Sequence, residues 1–217
     1  MANYSAVLFD LDGTILDSAP GVFHCFEHTF RMMRREAPSR ESMRRFLGPP
    51  LSDTFATHFG WTGEELERAI TIYRTEYFAT GAITAELYPG VIDVVRAVRA
   101  AGVPVGLATS KSESGVSKVL DHFEIGDEFD IIGSASDDET RSAKADVVRF
   151  ALDQLDEAGA DTSNVVLVGD RIHDIEGAAA NEIPTILVGW GYGTDEERAM
   201  ASASAVTTDE LRALLGV

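Results

Sequence analysis

The chain has 217 residues, of which 45% are hydrophobic and 25% charged, a globular composition with room for one large domain or for a core domain with an insertion. Its formal net charge of -18 argues against nucleic acid or an anionic membrane as a partner, and a single cysteine, Cys25, rules out an intramolecular disulfide. No apolar run approaches the roughly 18 residues of a membrane span, and Met1–Tyr4 lacks the basic start of a signal peptide, so a cytoplasmic location is expected.

Residues 4–10 are expected as the first strand, with the apolar run Ala6-Val7-Leu8-Phe9 buried. Asp10-Leu11-Asp12-Gly13-Thr14 follows at its end. Two carboxylates at i and i+2 point to one side of a strand, and burying them together is costly unless a cation joins them. Gly13 lets the chain turn sharply. This pattern fits a strand end built for a divalent metal and an anionic substrate.

Residues 17 to 84 read as successive helices. Phe23, Phe26, Phe30 and Met33 recur at helical spacing, and Leu66, Ile70, Tyr73 and Tyr77 form a second stripe. Thr62 and Glu65 have the spacing of a capping box ahead of that second stripe. From Tyr88-Pro89-Gly90 onward, helices are expected at 91–101, 113–122, 142–156 and 172–181. They alternate with short apolar strands at 103–108, 129–132, 165–168 and 185–188. Such alternation implies a parallel sheet covered on both faces. The fold class is therefore α/β, a Rossmann-like three-layer parallel-sheet core (residues 1–16 and 86–217) with an inserted α-helical cap (residues 17–85). Ligands of open α/β sheets bind outside the carboxyl ends of the strands.

Chemistry-bearing residues gather at those ends. Thr109-Ser110-Lys111 follows the strand at 103–108. Lys144 lies just inside the helix expected from 142, and Gly169-Asp170-Arg171-Ile172-His173-Asp174 follows the strand at 165–168. In this order and on these elements, the residues resemble the haloacid dehalogenase-like superfamily, in its branch with a helical cap. Asp17-Ser18, Phe46-Leu47-Gly48-Pro49-Pro50-Leu51, Arg141-Ser142-Ala143-Lys144-Ala145-Asp146 and Gly189-Trp190-Gly191-Tyr192-Gly193 resemble more narrowly the phosphoglycolate phosphatases and their 5′-nucleotidase and pyrophosphatase relatives.

The resemblance implies a Mg²⁺-dependent hydrolysis of a small phosphate monoester, with Asp10 as nucleophile and an aspartyl-phosphate intermediate. Asp12 would serve as general acid and base, its backbone carbonyl also binding the metal. Asp10 and Asp170 would complete the protein ligands with support from Asp174, an oxygen set suited to Mg²⁺. Thr109, Ser110 and Gly13 would contact the phosphate, and Lys144 would hold Asp10 and the phosphate together. The cap would close over the site and select the substrate, and the chain would work as a monomer or homodimer. A β-phosphoglucomutase-like phosphoryl transfer uses the same aspartate pair and stays open as an alternative.

Six arginines fall between Arg31 and Arg45, and most fit a solvated helix face; Arg44 or Arg45 is the best candidate for a cationic rim over the active site, with Arg45 expected to contact the substrate. Arg171 is either a second cation near the phosphate or a solvated arginine. His24-Cys25-Phe26-Glu27-His28 has the spacing of an inverted zinc-peptidase motif but reads as part of an amphipathic helix. Gly189–Gly193 reads as a flexible crossing toward the C-terminal helices.

Overall fold

The computed structural model describes residues 2–47, 51–138 and 140–217. The chain forms two compact units: Met1–Asp17 with Leu87–Val217, and Ser18–Glu86.

The first unit is built on six strands: β1 (Ala6–Phe9), β2 (Val105–Ser112), β3 (Ile131–Ala135), β4 (Val165–Gly169), β5 (Thr185–Val188) and β6 (Ala203–Ala205). Their spatial order is β3-β2-β1-β4-β5-β6, and every pairing is parallel. Helices cover both sides. All four residues of β1 and all five of β4 are buried, as strands with two covered faces must be. Leu8, Ala108, Ile131 and Leu167 of the sheet share one core with Val147, Val148 and Ala151 of the helix Lys144–Glu157. The chain runs outward from β1 to β2 and β3, then returns to β4 on the other side of β1 and continues to β5 and β6. The reversal of strand order therefore falls at β1, and open α/β sheets bind ligands outside the carboxyl ends of the strands at such a point.

Several expected boundaries move. The strand expected at 129–132 runs from Ile131 to Ala135 instead. Phe129 is buried but closes a 3₁₀ turn, and Asp130 accepts from the Val105 amide at 2.9 Å to set the register. The strand expected to stop at Ala108 continues to Ser112, with an irregularity between Thr109 and Ser112. The edge strand β6 adds a sixth strand that the sequence does not signal. Ala-Ser-Ala lacks the β-branched or aromatic side chains that mark a strand.

The second unit is helical, with Ala19–Met32, Leu51–Phe59 and Gly63–Ala79 as its longer helices. Phe26 packs against Phe46, Phe55 and Tyr73, and Phe30 against Phe59 and Trp61. Thr62 does stand at the N-cap of Gly63–Ala79, but its side chain makes no capping bond, so the capping box is not formed. His24 and His28 both face Glu76, at 2.7 and 3.4 Å, while Glu27 pairs with Arg40 at 2.7 Å. Of Phe46–Leu51, Gly48, Pro49 and Pro50 lie outside the described residues.

Candidate active site

Asp10 sits at the end of the central strand, where its amide donates to Val168 O at 2.8 Å. The chain then folds back on itself: Gly13 N donates to Leu16 O at 2.7 Å, and Ile15 N and Leu16 N both donate to Leu11 O at 2.9 Å. Gly13 adopts φ +87, which favours glycine, and a Cβ there would strike the Asp170 carboxylate.

Asp10, Asp170 and Asp174 form the only group among the described residues in which three potential metal ligands converge, their oxygens within 4.8 Å of one another. All three are buried. Lys144, the first residue of its helix, reaches Asp10 Oδ1 at 2.6 Å and Asp174 Oδ1 at 2.7 Å. Its stem lies where a Cβ on Gly177 would go. Asp174 is also bound through its other oxygen, which accepts from the amides of Asp170 and Arg171, both at 3.0 Å. Asp174 thus caps the helix Ile172–Ala179 and clamps Lys144 at once.

Charges here do not balance: three carboxylates surround one ammonium. Burial pushes Asp10 up to about 7, with Lys144 opposing and Asp174 adding to the rise. Burial, then Asp174 and Asp10, likewise hold Asp170 well above the ordinary carboxylate range. For Lys144, burial favours the neutral amine, but the two facing aspartates outweigh it and leave its pKa raised. A hard dication would cancel the surplus of two negative charges, and carboxylate oxygens are the donors Mg²⁺ takes. The residues fit that ion.

On the other side of Asp10, Thr109 is buried, and its Oγ1 accepts from Lys111 N at 3.2 Å. The Thr109 hydroxyl proton remains available to a ligand oxygen. Ser110 is exposed beside it. Asp12 Oδ2 pairs with Lys111 Nζ at 2.8 Å, while Asp12 Oδ1 is buried without a hydrogen-bond partner among the described residues. The first unit therefore brings together Asp10, Asp12, Gly13, Thr109, Ser110, Lys144, Asp170 and Asp174. Arg45 belongs to the second unit; its Nε donates to Ser42 O at 3.1 Å and its guanidinium lies over Phe46. Arg171 pairs with Glu197 at 3.4 Å.

The loop Gly189–Gly193 differs from its expected character. Tyr192 N donates to Asp170 Oδ2 at 2.6 Å, Tyr192 Oη donates to Asp17 Oδ1 at 2.9 Å, and Trp190 Nε1 donates to Thr14 O at 3.0 Å. A Cβ on Gly191 would collide with Asp170 and the Gly13 carbonyl, and one on Gly193 with the Asp170 carbonyl. These glycines serve close approach to the acidic centre, so the loop is an ordered brace and not a flexible crossing. Residue type alone does not separate the two uses of glycine. The aromatic residues interleaved with them, able to pack and to donate, were the available signal.

Comparison with known proteins places this geometry. The profile of the haloacid dehalogenase-like hydrolases matches residues 7–188. The tyrosine-protein kinase PtkA of Mycobacterium tuberculosis is 40% identical over 215 residues, covering 97% of this chain and 72% of that protein. A 5′-nucleotidase of Pseudomonas aeruginosa is 29% identical over 194 residues, 89% of this chain and 86% of its own. The crystal structure of a predicted phosphatase from Clostridium acetobutylicum superposes with a TM-score of 0.87 at 31% identity, covering 99% of each chain. The chain belongs to the haloacid dehalogenase-like hydrolase family.

Proposed function

We propose that the protein hydrolyses a small phosphate monoester in two steps through an aspartyl-phosphate on Asp10, with Mg²⁺ as its metal, in the manner of a phosphoglycolate phosphatase. The observation that carries this reading is the buried group of Asp10, Asp170 and Asp174 around one ammonium, 2.6 Å from Asp10. Asp10, Asp170 and Asp174 would hold the ion, with the Asp12 carbonyl. The ion would supply electrostatic stabilisation of the charge on the transferring phosphoryl oxygens.

The chain's own residues do the rest. Lys144 orients the Asp10 carboxylate and offers its charge to the phosphoryl group. The Thr109 hydroxyl donates to a phosphoryl oxygen, with the Ser110 amide beside it. An Asp10 oxygen attacks phosphorus, and the leaving oxygen takes a proton from Asp12. Water then attacks the phosphorus of the aspartyl-phosphate, giving its proton to Asp12 and freeing Asp10.

A second acceptor is favoured by one observation, the 40% identity to PtkA. An aspartyl-phosphate serves a tyrosine hydroxyl as well as water, so a tyrosine would take the phosphoryl group in that case. Phosphate release from phosphoglycolate, nucleoside monophosphates, sugar phosphates and pyrophosphate, beside ATP with a tyrosine peptide, separates these outcomes. We expect one monoester to stand well above the others and Asp10→Asn to be inactive on it. Phosphotyrosine formation without phosphate release would favour the second acceptor. Labelling by a sugar bisphosphate without release would favour a mutase. Full activity of Asp10→Asn would sink the whole reading.

A further inference from the structure

Lys111 takes no part in the proposed mechanism, yet its placement is restrained at three points. Its backbone amide donates to Thr109 Oγ1 at 3.2 Å. Its stem lies against Gly115, where a Cβ would come within 3.0 Å of Lys111 Cγ. Its ammonium reaches Asp12 Oδ2 at 2.8 Å, and the side chain is 7% exposed. A lysine restrained in this way differs from a surface counter-charge, whose contribution is small because its side chain is free to move. Asp12 shows the complementary asymmetry. One oxygen is anchored by Lys111, and the other is buried without a hydrogen-bond partner among the described residues. Unpartnered buried oxygens are rare in folded proteins and call for an explanation.

We propose that Lys111 is a positioning residue that divides the labour of the Asp12 carboxylate, anchoring Oδ2 so that Oδ1 is the oxygen that exchanges the proton. This rests on the phosphatase reading of the site. In the first step an Asp10 oxygen bonds to phosphorus, the electron pair of the breaking P–O bond stays on the leaving oxygen, and the proton on Asp12 Oδ1 passes to it. In the second step the water oxygen bonds to phosphorus, its proton goes to Oδ1, and the electron pair of the cleaved bond returns to Asp10. Lys111 keeps its proton and charge throughout. Its contribution is to fix the plane of the carboxyl, since a displacement on the order of 1 Å can cost about 100-fold in rate.

The consequence is a dependence on leaving group that a merely structural lysine would not produce. A 4-nitrophenolate departs without a proton, whereas an alkoxide needs one. Lys111→Met should lose roughly 100-fold in kcat/KM on alkyl phosphates and less than about threefold on 4-nitrophenyl phosphate, the difference being the reach of general acid catalysis. Lys111→Arg should recover part of the alkyl phosphate rate, and Lys111→Met should add nothing further to Asp12→Ala. A uniform loss across all esters, with thermal unfolding unchanged, overturns the inference and makes Lys111 a phosphate contact. Undiminished alkyl phosphate hydrolysis in Lys111→Met overturns it outright. Failure of the parent reading looks different: the wild type then hydrolyses none of the esters, or Asp10→Asn stays active, and this inference falls with it.

Discussion

Removing the divalent cation should make the stability of this protein fall as pH rises through neutrality, by an amount the structure sets. In the metal-free protein the folded state holds a proton on Asp10 up to about pH 7, whereas the ordinary aspartate value is 3.8. The sign follows from linkage. Between those values the folded chain binds a proton that the unfolded chain has released, so raising the pH strips it at the expense of the folded state. The Asp10 contribution to stability is greatest below about pH 4, declines toward pH 7 and levels off above it, a total of about 4 kcal/mol by linkage at about 1.4 kcal/mol for each pH unit. From pH 5 to pH 8 the decline amounts to about 2–3 kcal/mol. Urea unfolding in EDTA at several pH values measures it, with Asp10→Asn as the reference that subtracts the titrating groups outside the acidic centre. Mg²⁺ and the proton compete for the same surplus charge, so Mg²⁺ should stabilise the wild type more at pH 8 than at pH 5. If the difference between wild type and Asp10→Asn stays flat from pH 5 to pH 8, the account of the acidic centre is wrong.

Further outcomes follow from the structure. Lys144→Met leaves Asp10 and Asp174 buried without their ammonium; it should cost about 3–5 kcal/mol in urea unfolding, and a loss under about 1 kcal/mol would show the pair to be dispensable. Gly191→Ala drives a methyl group into Asp170 and the Gly13 carbonyl; the Mg²⁺ concentration for half-maximal activity should rise about tenfold or more. Gly126→Ala, whose new methyl would meet only Leu120 Cβ at 3.8 Å, should leave it unchanged. Cys25 is fully buried and its thiol is pushed up to about 12, by burial first and Glu76 second; the folded protein at pH 8 should not react with a disulfide reagent until urea unfolds it.

The acidic centre was legible because its chemistry and its fold leave the same mark. A strand buried on both faces shows as an unbroken apolar run, and Asp10, Thr109 and Asp170 each interrupt or end such a run at the same edge of the sheet. Lys144 stood out among only three lysines in the chain. What escaped were features set by contacts distant in sequence. Phe129 is apolar because it is buried in a turn, so hydrophobicity placed β3 two residues early. The small residues of β6 pack at the sheet edge without a strand signature. The brace at Gly189–Gly193 depends on Asp170, about twenty residues away, and on Thr14 and Asp17, more than 170 residues away. Lys111 lay inside a recognised motif, but its partner Asp12 is separated from it by the whole helical insertion.

The overall charge of -18 remains a problem for an enzyme that binds an anion, and the site geometry resolves it locally. Exposed charges beyond about 8 Å are largely screened at physiological ionic strength, so the nearest groups decide what enters. Those groups are Asp10, Asp170 and Asp174 against Lys144, while Lys111 is paired with Asp12. Without a dication the centre is negative and both lysines are engaged, so a phosphate is repelled where it must bind. With the dication the surplus is cancelled, and the Lys144 charge is no longer outnumbered by the carboxylates around it. On the proposed reading the cation would thus be a condition for binding as well as for chemistry. Calorimetric titration of inorganic phosphate should show binding to the wild type in Mg²⁺ and none in EDTA at pH 8. Equal affinity of the wild type with and without Mg²⁺ would mean that the lysines alone suffice, and that the dication is needed for chemistry only.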